Sequence, residues 1–549
     1  MRNKFLITVL AFSCIATAYS QDNPRLVVGI VVDQMRQEYL YRFQNKFGEG
    51  GFKRLMGEGF MLTNAHYNYV PTYTGPGHAS VYTGTTPAYH GIIANDWWDK
   101  TLKKKVNCVG DENQKPVGST DGHGAVSPWR LLSTTVTDEL KLFSQKKSKV
   151  IGISIKDRGA VLPSGHLANA AYWFDSKSGK FISSTYYLSA LPSWVDSFND
   201  KKMSDALLNQ EWKTLLPIEQ YTESSPDDSP YETVMKGKDK PVFPYDLKKL
   251  RQQRSNYDLL PSTPMGNDFL EAFAEATIAG ESMGKSGYTD FLTISFSSTD
   301  LVGHAMGPNA VEVEDTYLRL DRSIASLLKK LDEEVGKGNY TLFLTADHAA
   351  AEVPQSLKDN HMPAGYFTDD NSLKTELNNF LATYFPGKTL VESVSNSQVF
   401  FNTSLFSGDL KSSGIDYMLA TELVSNYLLG KEGVAQVFPK SLIRQGSYTE
   451  GGMKGFVVRG YNFKRSGDLT FELEPGWYSS AHLQGTTHGS SYSYDTHVPV
   501  LFFGKGIRHG SSKQYHPIID IAPTISVLLR IKFPSACTGQ PIAEAMEEK

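Results

Sequence analysis

Six side chains of this 549-residue chain, all Asp or His, combine the donor chemistry and the placement of a divalent-metal centre. Asp33 follows the apolar run Leu26-Val27-Val28-Gly29-Ile30-Val31-Val32. Asp300 comes shortly after Phe291-Leu292-Thr293-Ile294-Ser295-Phe296, and His304 stands four residues further on. Asp347 and His348 close the run Thr341-Leu342-Phe343-Leu344-Thr345, and His488 sits in Thr487-His488-Gly489 ahead of the run Val498 to Phe503. Residues just past the carboxyl ends of parallel strands share one crevice, so segments far apart in sequence can converge there. A single Asp after a strand is ordinarily a turn or cap residue. Strand followed by acid three times, twice with a histidine suitably placed for a shared metal, is a different matter. Three carboxylates and three imidazoles make two sites of three protein ligands, the number zinc takes where one position stays open for catalysis.

A nucleophile can be sought near them. In Tyr73-Thr74-Gly75-Pro76-Gly77-His78 the two glycines allow close backbone approach, and Ala79 to Tyr82 can begin a helix whose N-terminus favours anions. Thr74 is the candidate, since a zinc-bound hydroxyl, like zinc-bound water, loses its proton near pH ~7. Thr72 and Thr83 lie away from the glycine approach. Lys156-Asp157-Arg158 follows the strand expected over Val150 to Ile155. Strand alternation would put Lys156 and Arg158 on one side and Asp157 on the other, giving two cations that can clamp a phosphate. Asn95, in Ile93-Ala94-Asn95-Asp96-Trp97, offers a side-chain amide for the same purpose.

These motifs, in this order, resemble the alkaline phosphatase superfamily, and most closely the phosphate-irrepressible alkaline phosphatases of the type I phosphodiesterase and nucleotide pyrophosphatase branch. The resemblance runs over about residues 24 to 545. It is carried by Val32-Asp33, Tyr73 to His78, Gly91 to Asp96, Ser154 to Ala160, Ser298 to His304, Thr345 to His348 and Thr487 to Gly489. One departure is Ala349, which stands where the family has glycine after Asp-His. The resemblance implies an α/β fold with a mostly parallel sheet between helices, and two Zn2+ per chain. One zinc would take Asp300, His304 and His488; the other would take Asp33, Asp347, His348 and the Thr74 oxygen. Asn95, Lys156 and Arg158 would hold phosphoryl oxygens. The activity implied is hydrolysis of a broad range of small phosphate monoesters through a phosphothreonine, by a protein expected to be a monomer. A phosphodiesterase or nucleotide pyrophosphatase would use the same ligands. Lys156 and Arg158 favour the monoesterase, because a monoester carries a further oxygen and a second charge for cations to select. A metal-stabilised binding protein is the non-enzymatic alternative, and the intact nucleophile argues against it.

The elements that must position these residues fill the rest of the chain. Helices are predicted over Lys46 to Phe60, Ser133 to Ser144, Asp268 to Ala279, Val311 to Glu334 and Ile519 to Leu529. The runs Ala170 to Phe174 and Lys180 to Ile182 flank a hairpin turn. About residues 193–256 the chain turns polar, which reads as an insertion or lid. A smaller α+β subdomain is expected over about 357–480, with helices over Leu373 to Tyr384 and Tyr417 to Leu429. Because the metal candidates span nearly the whole length, residues 21–549 read as one discontinuous catalytic domain.

Composition bounds the rest. The formal charge of −4 comes without a basic stripe, so no nucleic-acid partner is expected. Arg2 and Lys4, the apolar core Phe5 to Ala18 and the Ala18-Tyr19-Ser20 site read as a signal peptide over 1–20, which places the mature protein in the periplasm or outside the cell. No transmembrane segment is expected. After cleavage Cys108 and Cys537 remain, a pair able to form one disulfide, and the sequence leaves open whether it does.

Overall fold

The computed structural model describes residues 23–120, 124–406, 416–480 and 482–547; the expected signal peptide lies outside them. The main sheet uses eight principal strands: Leu26–Val32 (β1), Phe60–His66 (β2), Val150–Ser154 (β3), Ala170–Asp175 (β4), Lys180–Ser184 (β5), Asp290–Phe296 (β6), Tyr340–Thr345 (β7) and His497–Gly504 (β8). Their order is β2-β8-β7-β1-β6-β3-β4-β5, with short strands Gly510–Ser512 and Pro116–Val117 at the two ends. The central five, β7-β1-β6-β3-β4, are parallel. β8 and β5 turn antiparallel on either side, and β2 pairs antiparallel with β8. Every residue of β1, β6 and β7 is buried. That is the condition of a parallel sheet covered on both faces, and it explains why these runs are largely apolar.

The covering helices are Thr74–Thr83 (α1), Asp157–Ser164 (α2), Met265–Gly280 (α3), Ser298–Met306 (α4) and Val311–Leu331 (α5). β4 shows the two layers. Its Ala171 and Trp173 join a core with residues of α1 and α2, while Tyr172 and Phe174 meet Phe273 and Phe269 of α3 on the other face. A separate four-stranded antiparallel sheet is built from residues 391–395, 398–401, 434–439 and 469–473. It packs its own apolar core with helices Asp370–Leu381 and Tyr417–Leu429.

One local expectation changes. The helix expected over Lys46 to Phe60 contracts to Phe52–Glu58, because the glycines at 48, 50 and 51 interrupt it and Phe60 already belongs to β2. Asp321 accepts from the Gly48 and Phe52 amides, holding the irregular stretch that replaces the first turn. The polar stretch 193–256 packs onto the main core. Its Val195, Phe198, Trp212 and Tyr245 enter the main core, and the Trp212 indole donates to Asp315 of α5 at 2.7 Å. Cys108 and Cys537 are both free thiols. A β-carbon on Gly75, at the start of α1, would touch Cys108 Sγ, and one on Gly84, just past its end, would touch Cys537 Sγ. The length of a buried helix therefore separates the two cysteines, about 15 Å for ten residues.

Candidate active site

The register explains how four segments meet. Val32 pairs with Phe296 and Val31 with Thr345, so Asp33, the first turn of α4 with Asp300, and Asp347 all emerge at one end of adjacent strands. Asp33 is tied to the end of β6 by its amide, which donates to Phe296 O at 2.9 Å. Asp300 and His304 occupy successive turns of α4, and His304 Nε2 lies 3.1 Å from Asp300 Oδ1. His488 Nε2 lies 3.8 Å from the same oxygen, and the donor atoms of these three residues cluster within 4.8 Å. His348 Nε2 is 3.4 Å from Asp33 Oδ1 and 3.6 Å from Asp347 Oδ2.

The second cluster differs from the grouping the resemblance implies. Asp33, Asp300 and His348 bring their donor atoms within 4.8 Å, and Asp347 falls just outside that set. Lys156 bridges the two carboxylates of that set, its Nζ bonding Asp33 Oδ2 at 2.7 Å and Asp300 Oδ2 at 2.5 Å.

The donors fit divalent cations. Asp33 Oδ1 and Asp347 Oδ2 are buried with no hydrogen-bond partner, a costly state for carboxylate oxygens unless a cation faces them. Each histidine gives Nδ1 to a backbone carbonyl: His304 to Thr486 O at 2.7 Å, His348 to Ala349 O at 2.9 Å and His488 to Thr72 O at 2.7 Å. A carbonyl only accepts, so Nδ1 carries a proton and Nε2 is the nitrogen turned to the centre, where the neutral ring would offer its lone pair to a metal. Burial, followed by repulsion from Asp300, pushes the Asp33 carboxyl up, and burial with repulsion from Asp33 holds Asp347 well above the usual range. Burial acts on Asp300 in the same sense, but His304 and Lys156 overcome it and hold that carboxyl well below the usual range. Burial, reinforced by His348, keeps His488 well below its ordinary value, and burial lowers His348 to about 3.

Thr74 is the first residue of α1, and its hydroxyl lies 3.5 Å from His348 Nε2. The helix starts five residues earlier than Ala79, so this hydroxyl stands at the positive end of the helix dipole. Gly77 makes the placement possible. A β-carbon there would sit 2.2 Å from Asp347 O and 2.8 Å from Asp347 Cβ, so only hydrogen lets α1 lie against the Asp347 backbone. Gly77→Ala is expected to destabilise the protein by about 1–3 kcal/mol, read as a lowered midpoint in chemical denaturation; an unchanged midpoint would mean α1 can shift freely.

Asn95 Oδ1 accepts the Gly75 amide at 2.7 Å, which fixes the orientation of its side chain and leaves the NH2 group as a donor. Arg158 is mostly buried, its Nε without a partner and its Nη1 3.9 Å from Asp157. The alternation expected for Lys156 and Arg158 does not apply, because α2 begins at Asp157 with Lys156 as its N-cap. Ala349 does not take a positive φ, so the absence of a glycine there imposes no backbone strain.

Gln34 is the residue sequence reasoning missed. Its Nε2 donates to Asp300 Oδ1 at 2.7 Å and its amide to Asp347 Oδ1 at 3.2 Å, tying two carboxylates to the end of β1. It does so at φ 62°, and a β-carbon on Gly303 would collide with its Oε1. Only that glycine, next to His304, hinted at a close neighbour.

The profile of the family described as type I phosphodiesterase / nucleotide pyrophosphatase matches residues 27–495. The chain belongs to this family. It is 45% identical over 548 residues to the alkaline phosphatase PafA of Elizabethkingia meningoseptica, covering 99% of both chains. It is 44% identical over 525 residues to the alkaline phosphatase PhoV of Synechococcus elongatus, covering 95% of this chain and 93% of the relative. The crystal structure of wild-type PafA superposes with a TM-score of 0.91, covering 96% of this chain and 99% of that one. The alkaline phosphatase-like α/β fold is thereby shown. A second PafA structure carries a threonine changed to serine and an asparagine, a lysine and an arginine each changed to alanine. Among the described residues no helix is long and apolar enough to cross a membrane.

Proposed function

We propose that this protein is a zinc-dependent phosphomonoesterase that hydrolyses small phosphate monoesters through a phosphothreonine at Thr74. The observation that carries the reading is the Thr74 hydroxyl at a buried helix N-terminus, beside His348 Nε2 and two orphaned carboxylate oxygens. Asp300, His304 and His488 would hold one zinc ion, and Asp33, Asp347 and His348, with the Thr74 oxygen, the other. Zinc suits this mixed imidazole and carboxylate set, and when bound it supplies Lewis-acid charge for the attacking and leaving oxygens.

The chain's own residues do the rest. Thr74 Oγ1 attacks phosphorus, a new P–O bond forms and the bond to the alcohol breaks; water then releases phosphate from the threonine. The positive end of α1 stabilises the charge on the transferring group. Asn95, with its oxygen held by Gly75, directs its NH2 donors, and Arg158 its guanidinium, to phosphoryl oxygens. Lys156 adds a charge that a dianionic monoester uses more fully than a diester. The names of the relatives support a monoesterase, and the residue types altered in the second PafA structure are those of Thr74, Asn95, Lys156 and Arg158. The leader-like N-terminus supports export.

The direct test compares hydrolysis of p-nitrophenyl phosphate and bis-p-nitrophenyl phosphate by the purified protein before and after chelation. The monoester is expected to be the better substrate, activity to vanish with the metal, and zinc rather than magnesium to restore it, with about two zinc ions bound per chain by elemental analysis. Preference for the diester would favour the phosphodiesterase reading, and full activity in metal-free protein would overturn the metal mechanism.

A further inference from the structure

A cavity of about 360 Å³ opens against His488 and Tyr73, the residue before Thr74, and is bordered by Glu472 and Leu473 of the smaller antiparallel sheet. Tyr73, Trp477, Tyr478 and Tyr494 contribute aromatic rings to it, and Asp369, Asp370, Glu472 and Asp495 contribute carboxylates. Among the described residues no lysine or arginine lines it. Two of the acids are buried, Glu472 at 5% exposure and Asp495 at 1%. Asp495 spends one oxygen on the Gly489 and Ser490 amides and the Ser490 hydroxyl, while its Oδ1 has no partner. Glu472 is met by Ser491 alone, through its hydroxyl at 3.4 Å and its backbone amide. Burial, together with repulsion from Asp495, pushes the Glu472 carboxyl up to about 8, as expected of an acid that no cation faces.

Resting on the phosphomonoesterase reading, we infer that this cavity receives the alcohol portion of the substrate and selects phosphate monoesters whose alcohol carries an ammonium group. His488 borders both the cavity and the proposed metal centre, so an alcohol leaving on that side enters the cavity directly. Rings and carboxylates without a competing cation are the combination that holds an ammonium, through the ring faces and through charge. The orphan oxygen of Asp495 and the poorly paired carboxyl of Glu472 would each gain a cationic neighbour, and their mutual repulsion would be relieved. An anionic alcohol portion would meet these carboxylates with no lysine or arginine among the described lining residues.

The test compares kcat/KM of the zinc-loaded enzyme for O-phosphocholine, O-phosphoethanolamine and 3,3-dimethylbutyl phosphate, in which carbon replaces the quaternary nitrogen. The two cationic substrates are expected to exceed the neutral isostere by about tenfold, the scale of a partly desolvated cation on aromatic rings. A preference for phosphocholine alone would assign the recognition to the rings, and a preference shared with phosphoethanolamine would assign it to the carboxylates; both support a cation subsite. Glu472→Gln and Asp370→Asn are each expected to shrink the ratio of cationic to neutral substrate, a readout unaffected by loss of folded enzyme. Equal kcat/KM for phosphocholine and its isostere in the wild-type protein would overturn the inference. Because p-nitrophenyl phosphate carries no ammonium group, its hydrolysis reports separately on the phosphomonoesterase reading.

Discussion

Thr74→Ala is expected to lower monoesterase kcat/KM by about three orders of magnitude or more, equivalent to roughly 4 kcal/mol of transition-state stabilisation. The structure separates Thr74 from its neighbours by what their hydroxyls already do. Thr72 Oγ1 donates to Ser490 O at 2.9 Å, and Ser80 Oγ is held by Tyr69 and His90. Thr74 Oγ1 has only the 3.5 Å contact with His348 Nε2 and provides no cap to its helix. Removing it costs the fold little, so the variant should keep its denaturation midpoint and its zinc. Thr74→Ser keeps an oxygen in the same place and should retain substantial activity. Acid quench during turnover should trap phosphate on the peptide containing Thr74; phosphate on Thr72 or Ser80 would reassign the nucleophile.

The fold was legible where burial imposes a pattern. The largely apolar runs 26–32, 291–296 and 341–345 read as strands covered on both sides, and each has an acid within four residues of its end. Convergence of the acids followed from parallel pairing alone. The spacing from Asp300 to His304 could equally have belonged to a loop; the structure makes it one helical turn. What stayed hidden depended on contacts between distant segments. Nothing local said that Lys156 would ion-pair with Asp33 and Asp300, or that the chain would turn into α2 at Asp157 and cancel the alternation on which its partnership with Arg158 was argued. Gln34 was invisible for the same reason, its role being set by Asp300 and Asp347. The packing of 193–256 on the core stayed hidden because its buried residues, such as Trp212 and Tyr245, are sparse among polar ones.

Substituting both Lys156 and Arg158 by alanine is expected to cut monoesterase kcat/KM by about two to three orders of magnitude and diesterase activity much less. Each lost charge-assisted hydrogen bond to a phosphoryl oxygen costs about 1.5–3 kcal/mol. A monoester dianion brings one more negative charge than a diester, so it loses more when two cations are removed. The structure adds a condition to this test. Lys156 lies between Asp33 and Asp300, where attraction to Asp300 and Asp33 outweighs burial and raises its pKa. Lys156→Ala therefore leaves two buried carboxylates facing each other without their cation, which should destabilise the metal-free protein and favour metal uptake. Arg158 forms no ion pair with Asp33 or Asp300, its guanidinium standing 3.9 Å from Asp157 instead, so Arg158→Ala should affect the monoester with little effect on zinc affinity. The two single variants thus separate the roles: zinc content and metal-free stability should respond to Lys156, and the ratio of monoester to diester kcat/KM to both. If monoesterase and diesterase activities fell in equal proportion in the double variant at full zinc occupancy, the cations would be general phosphate ligands, and the diesterase reading would regain ground.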